Sequence, residues 1–205
     1  MTAARVVYVR RMDAALPDRI RACRHCADRF RATATRHAPR PVVWFAPGAR
    51  VLVAAQAPGI RVHERGRPFD DASGRRLREW MGVDEATFWD VSRVAVVPMG
   101  FCFPGYDAKG GDLPPPRDCA RLWRAQALEY VGDVPVTLLV GGYSQAWHLG
   151  PGRVADRVRD WRNRAPGVWC LPHPSWRNTG WLKRNPWFEA EAVPALRRAV
   201  AEALA

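Results

Sequence analysis

Lysine is nearly missing from this chain: of 32 basic residues only Lys109 and Lys183 are lysines, and the rest are arginines. Acid is also short, with 20 Asp and Glu, which leaves a formal net charge of +12 over 205 residues. A G+C-rich genome would explain arginine in place of lysine, but not the surplus of base over acid. That surplus suits a polyanionic partner, nucleic acid or an anionic membrane surface, and taken with the motifs below it makes nucleic acid the expected one. No run approaches the roughly 20 apolar residues that span a bilayer. The short apolar run at 6–9 is interrupted by Arg10 and Arg11 and lacks the core of a signal peptide. A soluble, cytoplasmic, monomeric protein with no membrane partner is expected. Only five cysteines are present, and in a reducing compartment they suit metal ligands or buried thiols better than disulfides. Internal repeats and low-complexity segments are missing too, and the length suits one domain over 1–205 with a full core.

What the chain does have is a stretch, 51–71, that offers several kinds of group around one concavity. The apolar run Val51-Leu52-Val53-Ala54-Ala55 stops abruptly at Gln56-Ala57-Pro58-Gly59, the pattern of a β-strand ending in a tight turn rich in backbone N–H groups. Ligands of open α/β sheets sit at that end of the strands. Gly66-Arg67-Pro68-Phe69-Asp70-Asp71 follows, then Ser73-Gly74, where Ser73 is expected to cap a helix through Leu77, Trp80 and Met81. N–H donors, an aromatic ring and two carboxylates thus come from one segment.

Further strands are predicted at 94–97, 136–141 and 168–171, and helices at 17–30, 117–130 and 143–149, with a charged surface helix at 154–164. A final amphipathic helix places Phe188, Val193, Leu196, Val200 and Leu204 on one face. Residues 42–45 fit an edge strand or a packed loop. The Gly- and Pro-rich segment 103–116 is long for a compact fold, which suggests a functional loop. Strands alternating with helices imply a three-layer α/β/α sandwich around a central, mostly parallel sheet of about four strands.

Cys23 and Cys26 form a CxxC pair inside the predicted first helix, and Cys102 and Cys119 follow with sixteen residues between them. Four thiolates from distant segments suit a tetrahedral zinc or a four-iron cluster, and residue types do not choose between them. Four buried thiols without metal are the plain alternative, and Cys170, inside the last predicted strand, is assigned to the core. That strand delivers Pro172-His173-Pro174-Ser175 to the sheet end that receives the Gln56 turn. His173, flanked by two prolines opposite the Gln56 turn, is a candidate functional residue, with a structural hydrogen bond as its competing role. Ser175, Trp176, Arg177, Asn178, Lys183 and Arg184 form a basic and aromatic segment suited to phosphate contact or to wedging into a duplex. Trp181 suits that task or the anchoring of the last helix.

These residues resemble the uracil-DNA glycosylase superfamily, its iron-sulfur branches in particular. Ala55-Gln56-Ala57-Pro58-Gly59 with Gly66-Arg67-Pro68-Phe69 is similar to the first motif of that family. His173-Pro174-Ser175 is similar to its HPS motif and Arg184-Asn185-Pro186 to the segment that follows it in the iron-sulfur members; the cysteine order and last spacing agree as well. The resemblance implies hydrolysis of the N-glycosidic bond of a flipped, deaminated base, uracil first, to leave an abasic site in base excision repair. It also implies a structural [4Fe-4S] cluster on Cys23, Cys26, Cys102 and Cys119. Phe69 would stack on the base, and the N–H groups of the turn Gln56-Ala57-Pro58-Gly59 would meet a base carbonyl. His173 would stabilise the departing base anion, an interaction stronger in the transition state than in bound substrate.

Two positions depart from that pattern. Where the family carries Asp, or Glu one place earlier, this chain has Ala57 and Gln56. Of the nearest carboxylates, Glu64, Asp70 and Asp71, the expected water-orienting group is Asp71, because a related branch carries an Asp just after its Phe; helix capping is its competing role. The iron-sulfur enzymes also place an Asn four residues before the third cysteine, and here Pro98 stands there. Backbone groups around Met99 and Gly100 are then the expected readers of the base, or the base is hypoxanthine or xanthine. The rivals are a damaged- or single-stranded-DNA-binding protein that does not cleave, on the same fold, and a zinc-stapled nucleic-acid module.

Overall fold

Four parallel strands form the centre of the structure, a computed structural model that describes residues 14–205. The apolar run at 6–9 lies outside the described residues. The strands are β1 (Val51–Ala55), β2 (Val94–Pro98), β3 (Val136–Val140) and β4 (Val168–Leu171), in the spatial order β2-β1-β3-β4. β1 and β2 are buried along their whole length, as uninterrupted apolar strands in a parallel sheet must be, because both faces are covered. Alternation sends Val51, Val53, Val94 and Val96 toward a layer containing Leu77, Trp80, Phe188, Leu196 and Val200. Leu52, Ala95 and Val97 face the opposite layer, with Leu16, Ile20, Phe45 and Val131. The expected three-layer sandwich is present. From β1 the chain steps outward to β2 and then returns to β3 on the other side of β1, so the winding reverses between β1 and β3. That reversal is where α/β sheets hold ligands, beyond the C-terminal ends of the strands.

Several local expectations change. The helix predicted at 17–30 is two short helices, Leu16–Arg21 and Ala27–Arg31, with Cys23 and Cys26 in the turn between them. Ile20 and Phe30 are both fully buried, but no apolar stripe connects them through the arginine-rich interval, so nothing holds one continuous helix against the core. Residues 42–45 are a packed loop whose single bridge, Trp44 to Val96, shields the open edge of β2. The surface helix expected at 154–164 stops at Val154–Arg159 and buries Arg157. Among the described residues no helix is long and apolar enough to cross a membrane.

The helix after the long loop contains a π-helical turn, Ala120–Arg124, between Arg117–Cys119 and Ala125–Val131. It turns Arg124 inward, where the side chain is fully buried. Arg124 Nη1 donates to Val97 O at 2.8 Å, and Nη2 lies 2.7 Å from His148 Nε2. A guanidinium has no acceptor, so His148 accepts and stays neutral. Burial, and then the Arg124 charge, push the imidazole down to about 4. The unfolded chain therefore takes up this proton first: the stabilisation is complete above pH about 6.5 and is lost as the pH falls toward 4. Part of the ring reaches solvent, which makes the slope shallow. Melting temperatures measured from pH 7.5 to pH 4.5 are expected to fall less steeply for His148→Gln, which keeps an acceptor but cannot titrate, than for the parent.

Candidate active site

The turns after β1 and β3 meet at the reversal point. Gly141 follows β3 with φ +81°, and a Cβ there would lie 2.6 Å from the Gln56 amide nitrogen, so the Gln56 side chain rests on bare backbone. The main-chain oxygens of Ala55 and Gln56 accept from the N–H groups of Met99 (3.0 Å) and Gly100 (2.9 Å). Among the described residues the N–H groups of Gln56 and Ala57 have no such backbone partner. Both residues line a cleft of about 700 Å³, large enough for a nucleotide.

The cleft brings Gln56, Ala57, Pro58, Gly59, Phe69 and Asp71 together with His173, Ser175, Trp176, Arg177 and Asn178. Three expected site residues lie elsewhere. Met99 is buried, and its N–H and that of Gly100 already have acceptors, so the expectation that these groups read the base is corrected. Lys183 and Arg184 are exposed on the helix Thr179–Arg184, outside the cleft. Trp181 packs against Trp187 and Phe188, the anchoring role. Tyr106, Asp112 and Tyr143 line the cleft without having been singled out. The first two sit in the long loop, whose length was their only signal, and Tyr143 had none.

Phe69 has φ +54°, a left-handed backbone that a bulky residue adopts only when its surroundings force it. The surroundings are explicit: Trp89 Nε1 donates to Pro68 O at 2.9 Å, and Arg78 Nη1 to Phe69 O at 3.3 Å. The Phe69 ring meets Phe88 edge-on with centroids 6.0 Å apart. Its carbonyl lies 1.6 Å from where a Gly74 Cβ would stand. Gly74→Ala is therefore expected to cost about 3 kcal/mol through overpacking against rigid backbone, read as a drop of roughly 6–12 °C in melting temperature.

The acids of this segment have different fates. Asp70 is gripped by Arg65 (3.1 Å) and Arg67 (3.0 Å). Burial would raise its carboxyl, but Arg67 and then Arg65 outweigh that and hold it low, so it is a poor base. Asp71, not Ser73, caps the helix Ala72–Met81, because Asp71 has the extended backbone of a cap and its Oδ1 accepts from Gly74 N at 2.9 Å. His173 is held from three sides. Ser175 N donates to its Nδ1 at 3.3 Å, Asn178 Nδ2 donates to its carbonyl at 2.7 Å, and Arg76 Nη1 ties the carbonyls of Pro174 and Ser175 to the neighbouring helix. With Nδ1 accepting, the proton of the neutral ring sits on Nε2. Burial lowers the His173 pKa, Asp71 opposes that, and Arg177 adds to it, so the ring is neutral at pH 7. Trp176, 76% exposed, and Arg177, whose guanidinium lies 5.7 Å from the Trp176 ring, form the outer lip.

The four expected metal ligands also meet. Cys23, Cys26, Cys102 and Cys119 line one small cavity between the N-terminal helices and the helix starting at Arg117. Burial, then the neighbouring Cys119, pushes the Cys102 thiol up to about 12, and burial pushes Cys119 up to about 11. Four thiolates there need a cation among them. Phe101 N–H points at Cys119 Sγ, 3.4 Å away, as it would toward a ligating sulfur. Among the described residues no three such side chains stand close enough to hold a single ion. Four cysteines sharing one cavity are the donor set of a tetrahedral zinc or of a four-iron cluster.

A family model described as the uracil DNA glycosylase superfamily matches residues 42–197, which takes in the Gln56 turn, Phe69 and the His173 loop and begins after the first two cysteines. With that match over most of its length, the chain belongs to the uracil DNA glycosylase superfamily.

Proposed function

We propose that this protein is a monofunctional DNA glycosylase that hydrolyses the N-glycosidic bond of a flipped, deaminated base, uracil first, and leaves an abasic site for base excision repair. The observation that carries the reading is the convergence, in one cleft, of a neutral His173, the open N–H groups of Gln56 and Ala57, and the constrained ring of Phe69. Phe69 stacks on the base. The Gln56 turn and His173 Nε2–H donate to oxygens that gain negative charge as the base departs. Trp176 and Arg177, at the lip, contact the strand or fill the gap left by the flipped nucleotide. Lys183 and Arg184, further out, serve as phosphate contacts. The cavity of Cys23, Cys26, Cys102 and Cys119 holds a [4Fe-4S] cluster that ties the N-terminal helices to the helix beginning at Arg117; its role is structural.

Pro98 lines the cleft and offers no side-chain hydrogen bond, and Gln56 and Ala57 offer no carboxylate. These features favour a second reading, a protein that binds damaged or single-stranded DNA without cleaving it, or a preference for hypoxanthine or xanthine. The test is single-turnover incubation of the metal-replete protein with labelled oligonucleotides containing uracil, hypoxanthine or xanthine, then alkali to break abasic sites. Breaks at one base establish the glycosylase and name its substrate. Tight binding without breaks at any of the three supports the non-catalytic reading instead.

A further inference from the structure

Two carboxylates line the cleft among the described residues, Asp71 and Asp112. They are placed differently. Asp71 is fastened to a helix terminus through Oδ1, and its charge acts on His173, at the end of the cleft where the base is held. Asp112 enters from the 103–116 loop, which is closed on itself rather than free. Residue 112 bridges Tyr106 across the loop, Leu113 N–H donates to Gly105 O at 2.9 Å, and Asp107 Oδ1 accepts from the N–H groups of Lys109 (2.8 Å) and Gly111 (2.9 Å). Among the described residues the Asp112 carboxylate makes no hydrogen bond, and its ion-pair partner is Arg177, at 3.9 Å from Oδ2. It is thus a half-buried acceptor on a braced loop, open to the cleft.

We propose that Asp112 is the general base that activates the attacking water. This rests on the glycosylase reading. Water has to reach the sugar carbon from the side away from the departing base, and Asp112 enters the cleft from the 103–116 loop rather than from the segments that carry His173 and Phe69. In the step, a water O–H proton passes to the Asp112 carboxylate as the water oxygen bonds to C1′. The C1′–N bond breaks, and its electron pair leaves with the base as an anion that later takes a proton from solvent. Burial raises the Asp112 carboxyl above its ordinary value, Arg177 pulls it back and Asp71 adds to the rise; Tyr106, the other titratable neighbour, is itself shifted upward and stays neutral. A raised carboxyl is the stronger base.

The experiment compares the parent, Asp112→Asn and Asp71→Asn on whichever deaminated oligonucleotide the parent cleaves, in single turnover from pH 5 to pH 9. Affinity for the same oligonucleotide and melting temperature are followed in parallel. Asp112→Asn is expected to slow cleavage about 10²-fold with affinity within about threefold, and to abolish the rise of rate with pH on the acid limb. Asp71→Asn, which retains a capping oxygen, is expected to keep that limb. Cleavage by Asp112→Asn within about threefold of the parent overturns the inference, as does an acid limb that disappears with Asp71 instead. A parent that cleaves none of the three substrates overturns the glycosylase reading itself, a separate and earlier failure.

Discussion

His173→Ala is expected to lower the single-turnover rate of base release by about 10²- to 10³-fold while leaving DNA affinity within about threefold of the parent. The asymmetry follows from where the side chain acts. His173 Nδ1 accepts from Ser175 N, which leaves Nε2–H as its single donor toward the cleft, and that hydrogen bond strengthens only as the base acquires charge. On the proposed reading, bound DNA is held by arginines and stacking that the substitution does not touch. The pH dependence gives a second readout. Because burial holds the His173 pKa below its ordinary 6.5, the ring is the neutral donor at and above neutrality. Parallel losses of rate and affinity in His173→Ala would instead mean that the side chain acts by holding the loop through the Ser175 N–H.

On the proposed cluster reading, Cys102→Ser is expected to yield protein with little bound iron, without the broad visible absorption expected of the parent, and with a melting temperature lower by about 10 °C or more. Cys102 is buried, whereas Cys23, Cys26 and Cys119 are partly exposed. Cys23 and Cys26 stand between two helices of six and five residues, too short to persist without tertiary support. Removal of one ligand should release that N-terminal portion and loosen residue 103 onward, so cleavage falls along with stability. Metal analysis of the parent decides between the chemistries: iron with inorganic sulfide supports the cluster, whereas colourless protein holding one zinc, or no metal, refutes it.

Much of this was legible in the sequence because it depends on periodicity and on turns. Uninterrupted apolar runs announced β1 to β4, and the breaks at Pro58-Gly59 and Pro172-His173-Pro174 announced which sheet end carries the cleft. Burial of Cys170 followed from its place in a strand. Other features were hidden because they arise only from neighbours distant in the chain. The break at Cys23 to Cys26 depends on where Ile20 and Phe30 insert into the core, and the helix Ala72–Met81 is capped by Asp71 rather than Ser73 because the extended backbone at Asp71 lets its Oδ1 accept from Gly74 N. The inward turn of Arg124 comes from a π-helical segment, and no periodic pattern marks one extra residue in a helical turn.

By itself the sequence determined that a parallel α/β sheet would present the Gln56 turn and His173 at one end, since strand direction and loop position follow from the order of apolar runs and breakers. It also fixed the surplus of arginine, because charge needs no fold to be counted. Only the tertiary structure decided which groups remain open. Met99 and Gly100 N–H are closed by the turn after β1, Asp70 is closed by two arginines, and Asp71 is half closed by the helix it caps. Asp112, with no motif around it, is left facing the cleft by a loop that folds back on Tyr106. A residue type states what a side chain can do, but availability depends on which partners three-dimensional packing has already supplied.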